Sequence, residues 1–215
     1  MKNCAILLAA GHSARMQGTD KLTFELSGKM IVEYSIETLF KHQLIDHVTI
    51  VTSKKNSKKI KSVISINQYK KPFNFVEGGN TRFASLLNAF KTIISSEITV
   101  IHDAARPFIN ENLISESINT AKKHGTAVPV IKHVDSVYLY EGDNTLSKQI
   151  DRSKLLSSQT PQAYKTKILY DAIQYAEKNK IKYNFNDVPE LILKYGSNPY
   201  IFNGSKNNIK LTSTE

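Results

Sequence analysis

Short apolar runs of strand character alternate with helix-period segments along most of the chain, and this alternation limits the folds open to it. The runs are "CAILLA" (4–9), "HVTIVT" (47–52), "FNFVE" (73–77), "ITVIHD" (98–103) and "TAVPVI" (126–131). Between them lie segments with apolar residues every three to four positions. "IVEYSIETLFKH" (31–42) puts Ile31, Tyr34, Ser35 and Leu39 on one face, and "FASLLNAFKTII" (83–94) groups Leu86, Leu87, Phe90 and Ile94. "ENLISESINTAKKHG" (111–125) closes on lysines and a glycine, a normal helix stop. Strand, helix, strand in repetition predicts an α/β chain with a mostly parallel, twisted sheet and helices on both faces.

The pattern changes after residue 131. "DSVYLY" (135–140) and "TLSKQID" (145–151) flank the turn string "EGDN" and predict a β-hairpin. The hairpin shows little apolar surface with which to dock, so it is expected to protrude as a β-arm spanning about 133–153. Helices resume at 165–179 and 188–196, and "PYIFN" (199–203) reads as a last strand. With no internal repeat and no long linker, one domain over 1–215 is the economical expectation.

No apolar run approaches the length of a membrane helix. The seven-residue run after Lys2 lies at the lower edge for a signal peptide and leads straight into patterned sequence, so it reads as a strand. Cys4 is the only cysteine, so no internal disulfide ties the chain to an oxidising compartment, and a cytoplasmic location is expected. The formal net charge of +10 suggests nucleic acid at first sight, but the excess is almost all lysine, as in "KKNSKKIK" (54–61), which reads as a solvated helix face. Neither nucleic acid nor membrane is expected as a partner. The four arginines, Arg15, Arg82, Arg106 and Arg152, stand apart: where lysine is the default cation, a retained guanidinium points to two-pronged grip on phosphate or carboxylate.

Each arginine falls in a motif. "AAGHSARMQGTDK" follows the first strand, and its small residues Ala10, Gly11, Ser13 and Ala14 let backbone N–H groups approach an anion, with Arg15 and Lys21 close behind. In a parallel sheet this loop lies at the carboxyl edge, where ligands bind, and it suits a nucleoside triphosphate. "IHDAARPF" (101–108) ends strand four with Asp103 at the same edge, where a carboxylate beside a triphosphate would serve Mg²⁺ directly or through water. Arg106 either pairs with Asp103 or a neighbouring carboxylate, or meets substrate itself. In "EGGNTRFAS" (77–85), Gly79 and Ser85 could read a base edge, while Thr81 fits a helix cap.

In order, "LLAAGHSARM", "EGGNTRFASLLNAF", "IHDAARPF", "DRSKLLSSQTPQAY" and "GSKNNIKLT" resemble the 2-C-methyl-D-erythritol 4-phosphate cytidylyltransferase family over residues 5–212. The resemblance implies a Rossmann-like nucleotidyltransferase fold, CTP and Mg²⁺ as co-substrate and cofactor, a homodimer with interlocked β-arms, and the third step of the non-mevalonate route to isoprenoids. It implies that Arg15 and Lys21 stabilise the pentacoordinate α-phosphate and that Lys210 touches phosphate. Ala9, Ala10, Gly11, Gly79 and Ser85 would bind the cytidine, its ribose and its phosphates, with Asp103 beside the ribose and Mg²⁺. Arg152 would hold the sugar-alcohol phosphate from a partner's arm with Thr160 nearby, and Arg106, Ser136 and Asn186 complete the acceptor side. His12 and His102 are expected to be structural or peripheral, because an ionised phosphate needs no general base.

The chain departs from the family pattern at Ser13, at Asp20 and Leu22, at Tyr138 and at Asn186, and it stops at "LTSTE" where the family runs on and some members are fused to the pathway's cyclodiphosphate synthase. Tyr138 and Asn186 touch the acceptor side, so a ribitol-phosphate or other alditol-phosphate cytidylyltransferase is the second reading. A catalytically silent nucleotide-binding protein is the third.

Overall fold

The computed structural model describes residues 2–11, 20–179, 185 and 187–212. Arg15 and Asn186, together with His12 and Ser13, lie outside the described residues. In chain order the elements are β1 (Asn3–Ala9), β2 (Glu25–Leu26), β3 (Lys29–Met30), α1 (Ile31–Lys41), β4 (His47–Thr52), α2 (Lys54–Asn67), β5 (Phe73–Glu77), α3 (Arg82–Phe90), β6 (Ile98–Asp103), α4 (Glu111–His124), β7 (Thr126–Lys132), β8 (Val137–Tyr138), β9 (Gln149–Ile150), β10 (Leu156–Ser158), β11 (Gln162–Lys165), α5 (Thr166–Lys178), α6 (Val188–Lys194) and β12 (Ile201–Asn203).

The main sheet runs β10-β7-β11-β6-β1-β4-β5, with β12 on β7. Strands β6, β1, β4 and β5 are parallel. Side chains alternate across β1 because successive strand residues point to opposite faces. Ala5, Leu7 and Ala9 pack with α1, α2 and α4 residues such as Leu39, Ile60 and Ile118. Cys4 and Ile6 pack on the other face with Leu86 of α3, Leu169 of α5 and Leu191 of α6. The sheet is therefore covered on both sides, as a parallel sheet with apolar residues on both faces requires. The strand order reverses at β1, since β4 and β5 lie on one side and β6 on the other, so the crevice for a ligand opens at the carboxyl ends of β1 and β6.

β11 was not foreseen. It is antiparallel to both β6 and β7 and lies between them. β10 and β11 run along the same edge of β7, and Gln159 keeps contact through its N–H to the Pro129 carbonyl at 2.8 Å. The segment "QTPQ" between them is thereby held against the end of β6. The β2–β3 hairpin was also not foreseen; its turn residues Ser27 and Gly28 take φ 51° and 78°. That pairing of left-handed residues makes the primed turn suited to a two-residue hairpin.

The predicted arm forms, but its ladder is narrower than expected: β8 and β9 pair only Val137 with Ile150 and Tyr138 with Gln149. It adds no strand to the main sheet. The expectation of little apolar surface is corrected here. Val134, Tyr138, Leu139, Tyr140 and Leu146 are all exposed, because the two-pair ribbon joins no other sheet that could cover them. Helix α3 ends at Phe90 rather than continuing to 94, so Ile94 is exposed while Ile93 is buried.

Candidate active site

β1 ends at Ala9, whose side chain is buried in the core, and the chain then passes Ala10 and Gly11 at the rim of a cavity of about 330 Å³. Lys21, Gly79, Asn80, Ser85, Asp103 and Lys210 also line it. Asp20 caps the short helical turn Lys21–Thr23 by accepting from Leu22 N at 3.0 Å, and its other oxygen accepts from Asn56 Nδ2, so Lys21 is delivered from an anchored turn.

Gly78 and Gly79 are required by close approach, whereas a Cβ on Gly11 would meet nothing within 4 Å. A Cβ on Gly78 would lie 2.2 Å from Ala10 Cβ, and one on Gly79 would lie 2.5 Å from Ala84 Cβ. Gly79 N–H donates to Ser85 Oγ at 3.1 Å, which fixes the loop on the first turn of α3. Thr81 caps that helix by accepting from Ala84 N at 3.0 Å, as its cap reading predicted.

Asp103 stands at the end of β6, with only 8% of its surface exposed. Arg82 Nε and Nη2 donate to Oδ1 at 3.2 and 2.9 Å, and Lys210 Nζ donates to Oδ2 at 2.7 Å. Burial alone would raise this carboxyl, but the two cations and their hydrogen bonds outweigh it and hold Asp103 well below the usual carboxylate range. Arg82 also lies 3.5 Å from Asp187 Oδ1. Asp187 in turn caps α6 and accepts from Ser158 Oγ and Gln162 Nε2. Arg82 and Asp187 were not in the predicted site. The rarity of arginine was the signal for Arg82; the contact partner was invisible because β11, which carries Gln162, was not read.

Arg82, Asp103 and Lys210 form the wall shared with a second cavity of about 220 Å³, which Arg106, Ser158, Gln159, Thr160 and Asp187 complete. Of the two readings of Arg106, pairing with a carboxylate is not what its guanidinium does among the described residues: only its backbone N–H bonds to Asp103, donating to the carbonyl oxygen at 2.9 Å. Its Nη1 donates to the Asn208 carbonyl at 2.8 Å and its Nη2 reaches the Ser158 carbonyl at 3.4 Å, while Nε is buried without a hydrogen-bond partner among the described residues. Thr160 Oγ1 accepts from Asp103 N at 3.1 Å. His102 is fully buried beneath this layer, and burial pushes its ring down to about 4, so the imidazole is neutral.

Ser136 and Arg152 line neither cavity of their own chain. Both are exposed on the arm, where Arg152 Nη1 donates to the Val134 carbonyl.

The sequence profile of the family described as "IspD: 2-C-methyl-D-erythritol 4-phosphate cytidylyltransferase" matches residues 3–215. This chain belongs to that family. Its relatives include the proteins of that name from Clostridium tetani, 37% identical over all of this chain and 87% of that protein, and Clostridium novyi, 34% identical over all of this chain and 93% of that protein. Among solved structures, the 4-diphosphocytidyl-2C-methyl-D-erythritol synthase from Anaerococcus prevotii superposes with a TM-score of 0.84 at 25% identity, covering 99% of this chain and 91% of that one. The family's Rossmann-like fold is the one described above, and the cytidylyltransferases that share it are nucleotidyltransferases.

Proposed function

We propose that the chain joins CTP to 2-C-methyl-D-erythritol 4-phosphate, giving the CDP-linked methylerythritol and pyrophosphate. The observation that carries the reading is Asp103 clamped by Arg82 and Lys210 on the wall between two cavities, in a chain of this family. The first cavity, with its glycine loop and Lys21, takes the nucleotide. The second, with Arg106 and Thr160, takes the acceptor phosphate. The relatives named above favour methylerythritol phosphate over ribitol phosphate as the acceptor.

The chemistry follows from charge. An oxygen of the acceptor phosphate attacks the α-phosphorus of CTP; the new O–P bond forms as the bond to the β-phosphate oxygen breaks, and pyrophosphate leaves with that electron pair. The acceptor is already ionised near neutral pH, so no protein group has to remove a proton. Both reactants are anions, and the protein's work is to align them and neutralise their repulsion. Lys21 and Lys210, which both line the first cavity, do so, and the Arg82 fork keeps Asp103 from drifting onto a phosphate.

Mg²⁺ fits as a shared ion. Among the described residues no three His, Cys, Asp or Glu side chains converge to enclose a metal, and Asp103 already accepts a cationic donor on each oxygen. A single carboxylate together with phosphate oxygens and waters is how Mg²⁺ is commonly held, so Asp103 would hold it with the triphosphate. When bound, the ion neutralises phosphate charge.

A homodimer explains the arm. Exposed Tyr138, Leu139, Tyr140 and Leu146 offer apolar surface, and Arg152 beside them lines neither of the two cavities described for its own chain. In a dimer Arg152 and Ser136 enter the partner subunit's acceptor cavity. The unit is one domain with its arm at about 133–153. No helix among the described residues is long and apolar enough to cross a membrane, and a cytoplasmic location is proposed.

The test is pyrophosphate release with CTP and Mg²⁺, offering methylerythritol phosphate and ribitol phosphate separately. Release with the first and not the second is expected. Release with ribitol phosphate alone would overturn the acceptor, and none with either, despite CTP binding, would favour a silent nucleotide-binding protein.

A further inference from the structure

His102 lies at the hub of the second cavity without touching it. Its Nε2 is 3.1 Å from the Arg106 carbonyl oxygen and 3.5 Å from Ser35 Oγ, and its Nδ1 is 3.0 Å from Thr160 Oγ1. The ring is fully buried and none of these hydrogen-bond partners is a carboxylate; the nearby Asp103 charge favours a second proton, but burial outweighs it and the ring carries one. A carbonyl oxygen can only accept, so Nε2 carries the single proton and donates it to Arg106. Nδ1 is then bare and can only accept, so the Thr160 hydroxyl donates to it. Thr160 Oγ1 at the same time accepts from the Asp103 N–H at 3.1 Å. The order of donors is therefore fixed throughout: Asp103 N–H to Thr160, Thr160 O–H to His102, His102 Nε2–H to the Arg106 carbonyl. Ser35 Oγ adds a second donor to that carbonyl at 3.3 Å.

We propose that His102 is a positioning residue for the acceptor, an imidazole whose hydrogen bonds to the Thr160 hydroxyl and the Arg106 carbonyl lock the two segments into one relative geometry and so shape the second cavity. This rests on the reading of that cavity as the acceptor site. Arg106 reaches it from the loop after β6 and Thr160 from the segment between β10 and β11, and their chain segments are far apart in sequence. The ring joins the two segments, with Ser35 of α1 behind them. The nucleotide side depends on it less, because Asp103 is independently held there by Arg82 and Lys210.

The experiment varies CTP and acceptor separately in His102→Ala, His102→Asn and His102→Gln, with thermal unfolding to confirm that each folds. For His102→Ala the acceptor KM is expected to rise about tenfold, the worth of one buried hydrogen bond, with the CTP KM within about twofold. Asn places a carbonyl oxygen where Nδ1 stood, and Gln an amide N–H where Nε2 stood, so each should recover part of the loss. Equal rises in both KM values, or Asn and Gln no better than Ala, would overturn the proposal. Long-range ¹H–¹⁵N spectra of the wild-type protein at neutral pH should show the proton on Nε2; a proton on Nδ1 would overturn the proposal as well. That measurement needs no turnover, whereas a wild-type chain that binds CTP yet releases no pyrophosphate with either acceptor would sink the functional reading, so the two failures are told apart.

Discussion

Arg82 spans two carboxylates with one guanidinium, and removing it tests how much of the site rests on that fork. Arg82→Met leaves Asp103 with Lys210 alone, in a position only 11% exposed at the side chain. The expected cost is about 2 kcal/mol of stability, measured by urea unfolding, with a fall in kcat/KM of at least about tenfold. Arg82→Lys should recover only part, because one ammonium cannot reach both Asp103 and Asp187. Full recovery would show that charge alone matters. The glycine loop makes a separate prediction. Gly78→Ala forces a Cβ to within 2.2 Å of Ala10 Cβ, so the loop must move. The CTP KM is expected to rise while the acceptor KM holds; an unchanged CTP KM would contradict the placement of the base. At this scale the sequence was informative about which residues matter, through its rare arginines and paired glycines. It did not reveal partners: Arg106 stood open between pairing with Asp103 or a neighbouring carboxylate and meeting substrate, while Arg82 and Lys210, which do pair with Asp103, come from segments that converge only in three dimensions.

The helices and long strands stood where apolar periodicity put them, because residues such as Ile6, Ile50 and Val100 face apolar neighbours across the sheet. The short pieces did not. β11 spans four residues of which Gln162, Ala163 and Tyr164 are fully buried, so it shows neither alternation nor a long apolar run. β2 and β3 have two residues each, too few for any period. One joint between elements gives a pH prediction. His42, just past α1, holds α4: its Nε2 lies 3.1 Å from the Glu111 carbonyl and 3.0 Å from Ser115 Oγ, while its Nδ1 accepts from Leu44 N. Burial lowers its pKa from the ordinary 6.5, so the unfolded chain binds that proton more readily than the folded one. Stability therefore falls as pH drops below about 6.5 and is regained above it. The urea midpoint should fall between about pH 7.5 and about pH 5, and less so in His42→Gln. An equal fall in the variant would assign the effect elsewhere, for instance to His102, whose ring is also pushed down.

At the scale of the whole molecule, the cavity proposed for the acceptor lies in the chain's body and Arg152 is exposed on its arm. If the partner's arm completes the cavity, a subunit lacking Arg152 and one lacking Lys210 can complement each other. Homodimers of Arg152→Ala and of Lys210→Ala are each expected to be nearly inactive. Mixed and re-equilibrated, they should regain about a quarter of wild-type activity, since about half the dimers are mixed and each holds one intact site. No recovery in verified mixed dimers would mean that Arg152 serves its own chain or none. A mostly parallel sheet with a helical layer on each face was readable from the strand–helix alternation; the strand order was not, because the antiparallel β11 enters between β6 and β7, and the apolar surface of the arm was underestimated because a two-sided ribbon hides nothing against its own chain. The central claim, that gathered cations bring an acceptor phosphate onto the α-phosphorus of CTP, is tested most directly by isotope tracing. Methylerythritol phosphate carrying ¹⁸O on its non-bridging phosphate oxygens is incubated with CTP, Mg²⁺ and the protein, and the products are read by ³¹P NMR. The account predicts that every labelled oxygen stays in the CDP-linked product and that the pyrophosphate is unlabelled; label in the pyrophosphate, or no CDP-linked product at all, would contradict it.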